Sequence, residues 1–213
     1  MLTKTPREKY NVILADPPWD FTVWNKDTGS GRSPSAHYQT MDIEDICRLP
    51  IADLADENCV LFIWTVWPRL FDTQKVIEAW GFEYKTLGFE WWKLNKKWYR
   101  QWVPMIDVFN GYSWLEKMFF FGMGYYTRAN SEPCLICTKG KMPVSTRSER
   151  NFIIAPIRDH SQKPDEQYGK IERLYPNMTY LELFARRRRP GWDAFGNQVE
   201  DSIVLPQGVL DVA

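Results

Sequence analysis

The chain has 213 residues, room for one domain of ordinary size, and 44% of them are apolar, enough to fill one core. Its 27 Lys and Arg balance 27 Asp and Glu, which excludes a grip on nucleic acid by bulk charge, so a polyanion must meet a local patch. Phe, Tyr and Trp make up 15% of the residues, an outlay of ring surface that points to a site lined by rings. YNVILA (10–15) is a short unbroken apolar run, the pattern of a parallel strand covered on both faces, and Asp16-Pro17-Pro18 stops it because proline cannot extend a ladder. Asp42 caps a helix through IEDICRL that Pro50 ends, and ENCVLFIWTV (57–66) is a second buried strand. Pro68 opens a helix with Leu70, Phe71, Val76, Ile77 and Trp80 at its apolar positions and Gly81 at its C-terminal stop. FEYKTLGFEWW (82–92) and NFIIAP (151–156) are further strands. Pro164 then opens a helix with Tyr168, Ile171 and Leu174 on one face, and TYLELFA (179–185) is the last strong strand.

Strands alternating with helices at this spacing predict one domain over 1–213, of class α/β, with a doubly wound sheet. Ligands of such sheets bind beyond the carboxyl ends of the strands, where Asp16 and Arg186 fall. Two stretches break the rhythm, the polar loop 21–40 and an aromatic and basic insertion at 95–118; loops so long in a compact domain are functional or disordered. The longest apolar runs fall far short of the roughly 20 residues of a membrane span, and the first ten residues lack the apolar core of a secretory signal. The expectation is a soluble, cytoplasmic protein without membrane contact, its four cysteines as thiols. Cys134 and Cys137 form a C-x-x-C with no second ligand pair at zinc spacing, and His37 and His160 are the two histidines, so buried cysteines and no metal are expected.

Asp16-Pro17-Pro18-Trp19 is the sharpest signal. An exocyclic amine of adenine is a poor nucleophile because its lone pair is delocalised into the ring. A carboxylate on Asp16 and the carbonyl of Pro17 can each accept one amine hydrogen and so turn that lone pair toward a methyl donor. Two prolines stiffen the turn, and Trp19 offers a face on which the base can stack. Asp-Pro alone is an ordinary strand-ending turn; the buried strand before it and the ring after it favour a site. In WWKLNKKWYRQW (91–102), Lys93, Lys96, Lys97 and Arg100 are interleaved with rings, which suits a flipped or single-stranded nucleic acid, whereas Trp91 and Trp92 fit a half-buried strand equally well.

VILADPPWDF resembles the signature of the S-adenosylmethionine-dependent N6-adenine methyltransferases related to the mRNA N6-adenosine methyltransferase. The resemblance continues, in the family's order, through HYQTM (37–41), LFIWTV (61–66), AWGF (79–82), HSQKPDEQYGKIERLYP (160–176), LELFAR (181–186) and GWDAFGNQV (191–199). It implies a Rossmann-like sheet with the catalytic strand early and the cofactor strand late, and S-adenosyl-L-methionine as cofactor. By the same resemblance Asp16, Pro17, Pro18 and Trp19 hold the target amine, with Asp16 and the prolines also near the cofactor, and Tyr38 gates the base. Lys163 lies near cofactor and target, Glu182, Leu183, Phe184, Arg186 and Arg188 surround the cofactor, and Asn197 and Gln198 bind its ribose and purine. Glu132 matches a glutamate on the substrate side. Arg187 and Arg189 are left as solvent or phosphate contacts, Lys96, Lys97 and Arg100 as contacts to nucleic acid, and His37 as a donor to phosphate or base or plain polar surface.

These readings predict methyl transfer to N6 of adenine in DNA, because a compact chain without RNA-binding extensions matches a stand-alone bacterial or phage enzyme. RNA adenosine methylation is the rival within the class, a non-catalytic nucleic-acid-binding partner subunit the rival outside it, and a homodimer stays open.

Overall fold

The computed structural model describes residues 9–20, 40–96, 118–122, 126–158 and 162–203. In chain order the elements are β1 (Tyr10–Ala15), α1 (Ile43–Arg48), α2 (Ile51–Leu54), β2 (Ala55–Trp64), a 3-10 turn (Trp67–Arg69), α3 (Leu70–Ala79), β3 (Glu83–Leu94), β4 (Ser131–Lys139), β5 (Phe152–Pro156), α4 (Glu166–Leu174), β6 (Tyr180–Leu183) and β7 (Trp192–Phe195). The strands form one sheet in the order β5-β3-β4-β2-β1-β6-β7. Every pairing is parallel except those of β4, which runs antiparallel between β2 and β3.

Period-two alternation along the central strands sends apolar side chains to both faces. Ile13, Ala15, Leu61 and Ile63 enter one core with Ile46, Ile51, Val76, Ile77 and Trp80, which come from α1, α2, α3 and the turn after it. Val12, Leu14, Val60, Phe62 and Trp64 enter the other with Phe89, Trp91 and Ile153, covered by Tyr168, Ile171 and Leu174 of α4. The α/β sandwich foreseen from the sequence is thus built, and a seven-stranded mixed sheet of this kind agrees with a Rossmann-like methyltransferase fold. Among the described residues no helix is long and apolar enough to cross a membrane.

Several local expectations are refined. In α3 the buried positions Thr73, Val76, Ile77 and Trp80 follow the i, i+3, i+4, i+7 stripe, and Phe71 lies off it, 87% exposed. Gly81 does end that helix, with φ of +78°; its N–H donates to Glu78 and that of Phe82 to Ile77, each at 3.0 Å, the bond pair of a Schellman motif. Asp42 stands at the N-cap of α1 without a side-chain capping bond. PCLIC, read as buried core, is the middle of β4. Its Cys134 faces the α4 core and Cys137 the opposite one, so the two thiols straddle the sheet and cannot share a ligand. Burial pushes the Cys137 thiol up to about 12.

Trp80 joins α3 to α1: it is fully buried, and its Nε1 donates to the Ile46 carbonyl at 2.9 Å. Trp80→Ala should destabilise the fold by about 3–5 kcal/mol, read as a lower urea midpoint; a loss under about 1 kcal/mol, within reach of a surface substitution, would contradict this packing.

Candidate active site

The carboxyl ends of the parallel strands and the start of antiparallel β4 share one edge of the sheet. Both long connections are rooted there. Trp19 bridges Met41, whose N–H donates to the Pro18 carbonyl at 3.0 Å, closing the base of the 21–40 loop. Leu94 bridges Phe119, and Asn95 N–H donates to the Met118 carbonyl at 2.9 Å, closing the insertion. His37, Tyr38, Lys97 and Arg100 lie outside the described residues, whereas Lys96 is exposed at the insertion's root.

Asp16 leaves β1 at this edge. The Trp19 N–H donates to the Pro17 carbonyl at 2.8 Å, a tight turn that the two prolines favour by fixing φ. Trp19 does not present a stacking face as the sequence reading supposed. It is 4% exposed, and its Nε1 donates to the Trp64 carbonyl at 2.9 Å, so the ring anchors the turn to β2. Its indole N–H needs a partner once the ring is buried, and the end of β2 supplies one.

Lys163, from the segment before α4, donates to both Asp16 oxygens, at 2.7 and 2.9 Å. Its side chain is only 8% exposed and its ammonium lies 5.7 Å from the centre of the Trp64 ring. It stands 3.4 Å from Glu132 Oε2 on β4, and Glu132 Oε1 is ion-paired with Lys93 of β3. The four groups alternate in sign along the edge: Asp16, Lys163, Glu132, Lys93. Burial pushes the Asp16 carboxyl up and Glu132 adds to it; Lys163 and Arg186 oppose, and the net shift is upward. Burial also pushes Glu132 up, but Lys163 and Lys93 together outweigh it and hold it below the usual value.

Next to β1, Glu182 of β6 stands in register with Leu14 and accepts from the Tyr168 hydroxyl at 2.9 and 3.0 Å. Burial, then the nearby Asp16 charge, raises its carboxyl to about 7. Leu183 is buried, and Phe184 turns the chain with φ of +59°, a left-handed conformation rare for a bulky residue and found where the surrounding structure enforces it. The enforcement is visible. Ala185 N–H donates to the Phe195 carbonyl at 3.0 Å, and a Cβ on Gly196 would stand 2.4 Å from the Ala185 carbonyl oxygen, so the turns after β6 and β7 fit backbone to backbone. Asn197 and Gln198 follow on this edge, exposed.

Three guanidiniums of the arginine run are committed to the protein itself. Arg187 pairs with Asp165, and Arg188 donates to the Glu200 carbonyl at 2.8 and 2.6 Å, bracing the loop after β7. Arg189, expected at solvent or phosphate, lies 4.6 Å from the Tyr168 ring centre and 3.3 Å from Glu172, which also accepts from Trp192 Nε1. Arg186 is the member whose charge reaches Asp16. The structure therefore gathers Asp16, Pro17, Lys163, Glu132, Glu182 and Arg186 at one edge. Lys93, grouped in the sequence with the basic residues suited to nucleic acid, and Tyr168, read there as one of the apolar face of its helix, join them through Glu132 and Glu182. Counting by twos from the buried Trp91 along β3 puts Lys93 on the inward face, a signal present in the sequence but masked by the surrounding basic residues. Among the described residues no group of three His, Cys, Asp or Glu is placed to hold a metal ion.

Against known proteins, the MT-A70 family model matches residues 10–105 and 115–198. The chain is 32% identical to the Type II methyltransferase M.MunI of a Mycoplasma species, over 97% of this chain and 85% of that one. It is 28% identical to human METTL3, the N(6)-adenosine-methyltransferase catalytic subunit, over 95% of this chain and 30% of that one. The MT-A70-like N(6)-adenosine-methyltransferase of Arabidopsis thaliana is 26% identical, over 94% and 25%. The chain spans most of the bacterial relative and under a third of these eukaryotic ones.

The raised Glu182 sets a pH dependence. Its ordinary value is 4.5 and its folded value about 7, so the fold binds a proton more tightly than the unfolded chain does. That contribution is fully present below 4.5 and is lost as pH rises through 7. Glu182→Gln, which keeps an acceptor for Tyr168, should remove it: between pH 4.5 and 8 the urea midpoint of wild type should fall relative to that of the variant. Parallel midpoints would refute the shift.

Proposed function

Since this chain belongs to the MT-A70 family of S-adenosylmethionine-dependent methyltransferases, whose members methylate adenine in DNA or RNA, we propose that it transfers a methyl group to N6 of adenine in DNA. The observation that carries this reading is the turn after β1, where the Asp16 carboxylate, at the end of a buried strand and paired with the covered Lys163 ammonium, is followed at once by the Pro17 carbonyl. The two amine hydrogens of adenine need two acceptors, and Asp16 with the Pro17 carbonyl supplies them. Lys163 occupies one lone pair on each Asp16 oxygen, and Trp19 N–H one on the Pro17 oxygen, which leaves a lone pair of each free for the base. The ammonium also favours the charged form of Asp16 against its burial. Bound here, S-adenosylmethionine would supply an electrophilic methyl, its C–S bond exchanged for the C–N bond at N6 and its sulfur released as a thioether. The proton lost from N6 goes to Asp16 or to water. Catalysis on this scheme is positioning and electrostatics.

The residues suit the cofactor. Asp16 and Glu182 put carboxylates at the ends of neighbouring strands, which suits a cation, and the amides of Asn197 and Gln198 suit ribose hydroxyls and purine edges. Phe184, part-exposed after β6, offers apolar surface beside them, backed by the buried Pro17 and Leu183, with Arg186 beside Asp16. Arg188 would act from the loop it braces. Lys96, Lys97 and Arg100 are proposed as phosphate contacts, and His37 and Tyr38 as base contacts, on the two connections rooted at this edge. DNA is favoured over RNA because the chain is more similar to the Type II methyltransferase M.MunI, at 32% identity, than to human METTL3, at 28%.

Asp16→Ala should lower the rate of methyl transfer at least ~100-fold, as loss of one charge-stabilising group does elsewhere, while cofactor affinity by calorimetry changes only a few-fold. A rate near wild type would reduce Asp16 to a turn residue. The nucleic acid is decided by methylating duplex DNA, single-stranded DNA and RNA of one sequence at fixed salt, since affinities at different salt are not comparable. DNA should be modified fastest, at N6 of adenine. Faster modification of RNA would overturn the choice of DNA and leave the methyl transfer in place.

A further inference from the structure

Lys93, next to last in β3, is a charged residue drawn into the covered edge of the sheet. Its side chain is 18% exposed, and its ammonium lies 5.0 Å from the ring centre of the buried Trp91. Bringing an ammonium into such a position costs solvation that an apolar side chain would not lose. What it meets there is Glu132, similarly covered at 15% exposure. The contacts of Lys163 are unequal: 2.7 and 2.9 Å to Asp16, with hydrogen bonds, against 3.4 Å to Glu132 Oε2, which is buried and accepts no hydrogen bond among the described residues.

We propose that Lys93 is a positioning residue for methyl transfer: by holding Glu132 through Oε1 it leaves Lys163 to Asp16, so that one ammonium faces each of two partly covered carboxylates. The inference rests on the reading of Asp16 as acceptor for the target amine. Without Lys93, two carboxylates share one ammonium; Lys163 is drawn toward Glu132, and the cheapest remedy in a buried site is to take up a proton. The pair then titrates as a unit, and Asp16 is ionised and correctly oriented only at higher pH. The other groups facing Asp16 are Arg186 after β6, Glu182 on β6, Tyr168 on α4 and Cys134 on β4. Tyr168 and Cys134 are neutral through the range concerned, and Glu182 adds negative charge as pH rises through about 7 in wild type and variant alike.

The test follows the carboxyl carbons of Asp16 and Glu132 by NMR titration of the free protein, and kcat against pH at saturating cofactor and DNA. Resonances are assigned with Asp16→Asn and Glu132→Gln. In Lys93→Met the titration midpoint should rise by about one pH unit or more, and the acid limb of kcat should rise with it, a roughly tenfold loss below both midpoints. Lys93→Arg should leave both near wild type. Lys93→Met with Glu132→Gln removes the pair together and should return the limb toward its wild-type position, whatever the height of the plateau. A loss equal at every pH, with unmoved midpoints, is what damaged packing gives and overturns the proposal; midpoints that move without the limb overturn its link to the reaction. The carboxyl titration needs no turnover, so it decides the charge arrangement even if an active Asp16→Ala variant were to sink the methyl-transfer reading.

Discussion

Everything at the working edge depends on β1 being shielded on every side. Six residues, hydrogen-bonded on both edges to β2 and β6 and covered on both faces by separate cores, give a strand with no freedom to shift. A slip of one residue would send Ile13 and Ala15 into the wrong core. The strand therefore delivers Asp16 to a fixed point, and the two prolines and the anchored Trp19 hold the turn that begins there. The chemistry asks for an acceptor placed to a fraction of an ångström, which a buried strand end provides and a free loop does not.

Around that point the protein assembles charge that it must also neutralise. Asp16, Glu132 and Glu182 are three carboxylates drawn from three strands, and each meets a different answer: Lys163 for the first, Lys163 with Lys93 for the second, and the Tyr168 hydroxyl for the third. Burial lifts Glu182 to about 7, opposed by the Tyr168 hydroxyl and by the charge of Arg189 rather than by an ammonium in hydrogen-bond contact. Members of one small cluster thus shift in different directions according to burial and the charges beside them.

How much of this was legible follows from which forces are local. β1, β2, α1, α3, α4 and β6 announce themselves as apolar runs or stripes with proline and glycine at their ends, and the structure places them within a few residues of the sequence boundaries. The motif Asp16-Pro17-Pro18 and the lysine before α4 could be named, and they do meet. β7 could not: WDAF buries Trp192 and Ala194 against exposed Asp193 over four residues, too short a pattern to stand out. The antiparallel course of β4 depends on pairing partners far away in the chain. The burial of Trp19 and the engagement of Arg187, Arg188 and Arg189 likewise depend on Trp64, Asp165, Glu200 and Glu172, none of them sequence neighbours.

The reversed direction of β4 has a consequence for the connection before it. A parallel successor to β3 would have obliged the chain to cross the whole sheet before pairing again. Because β4 runs back, the connection from Leu94 to Ser131 starts and finishes on the edge that carries Asp16, its base already stitched by the Leu94–Phe119 bridge. Closing a longer loop there adds only about 0.6 kcal/mol for each doubling of its length. That segment can therefore be lengthened, trimmed or replaced without renegotiating either core.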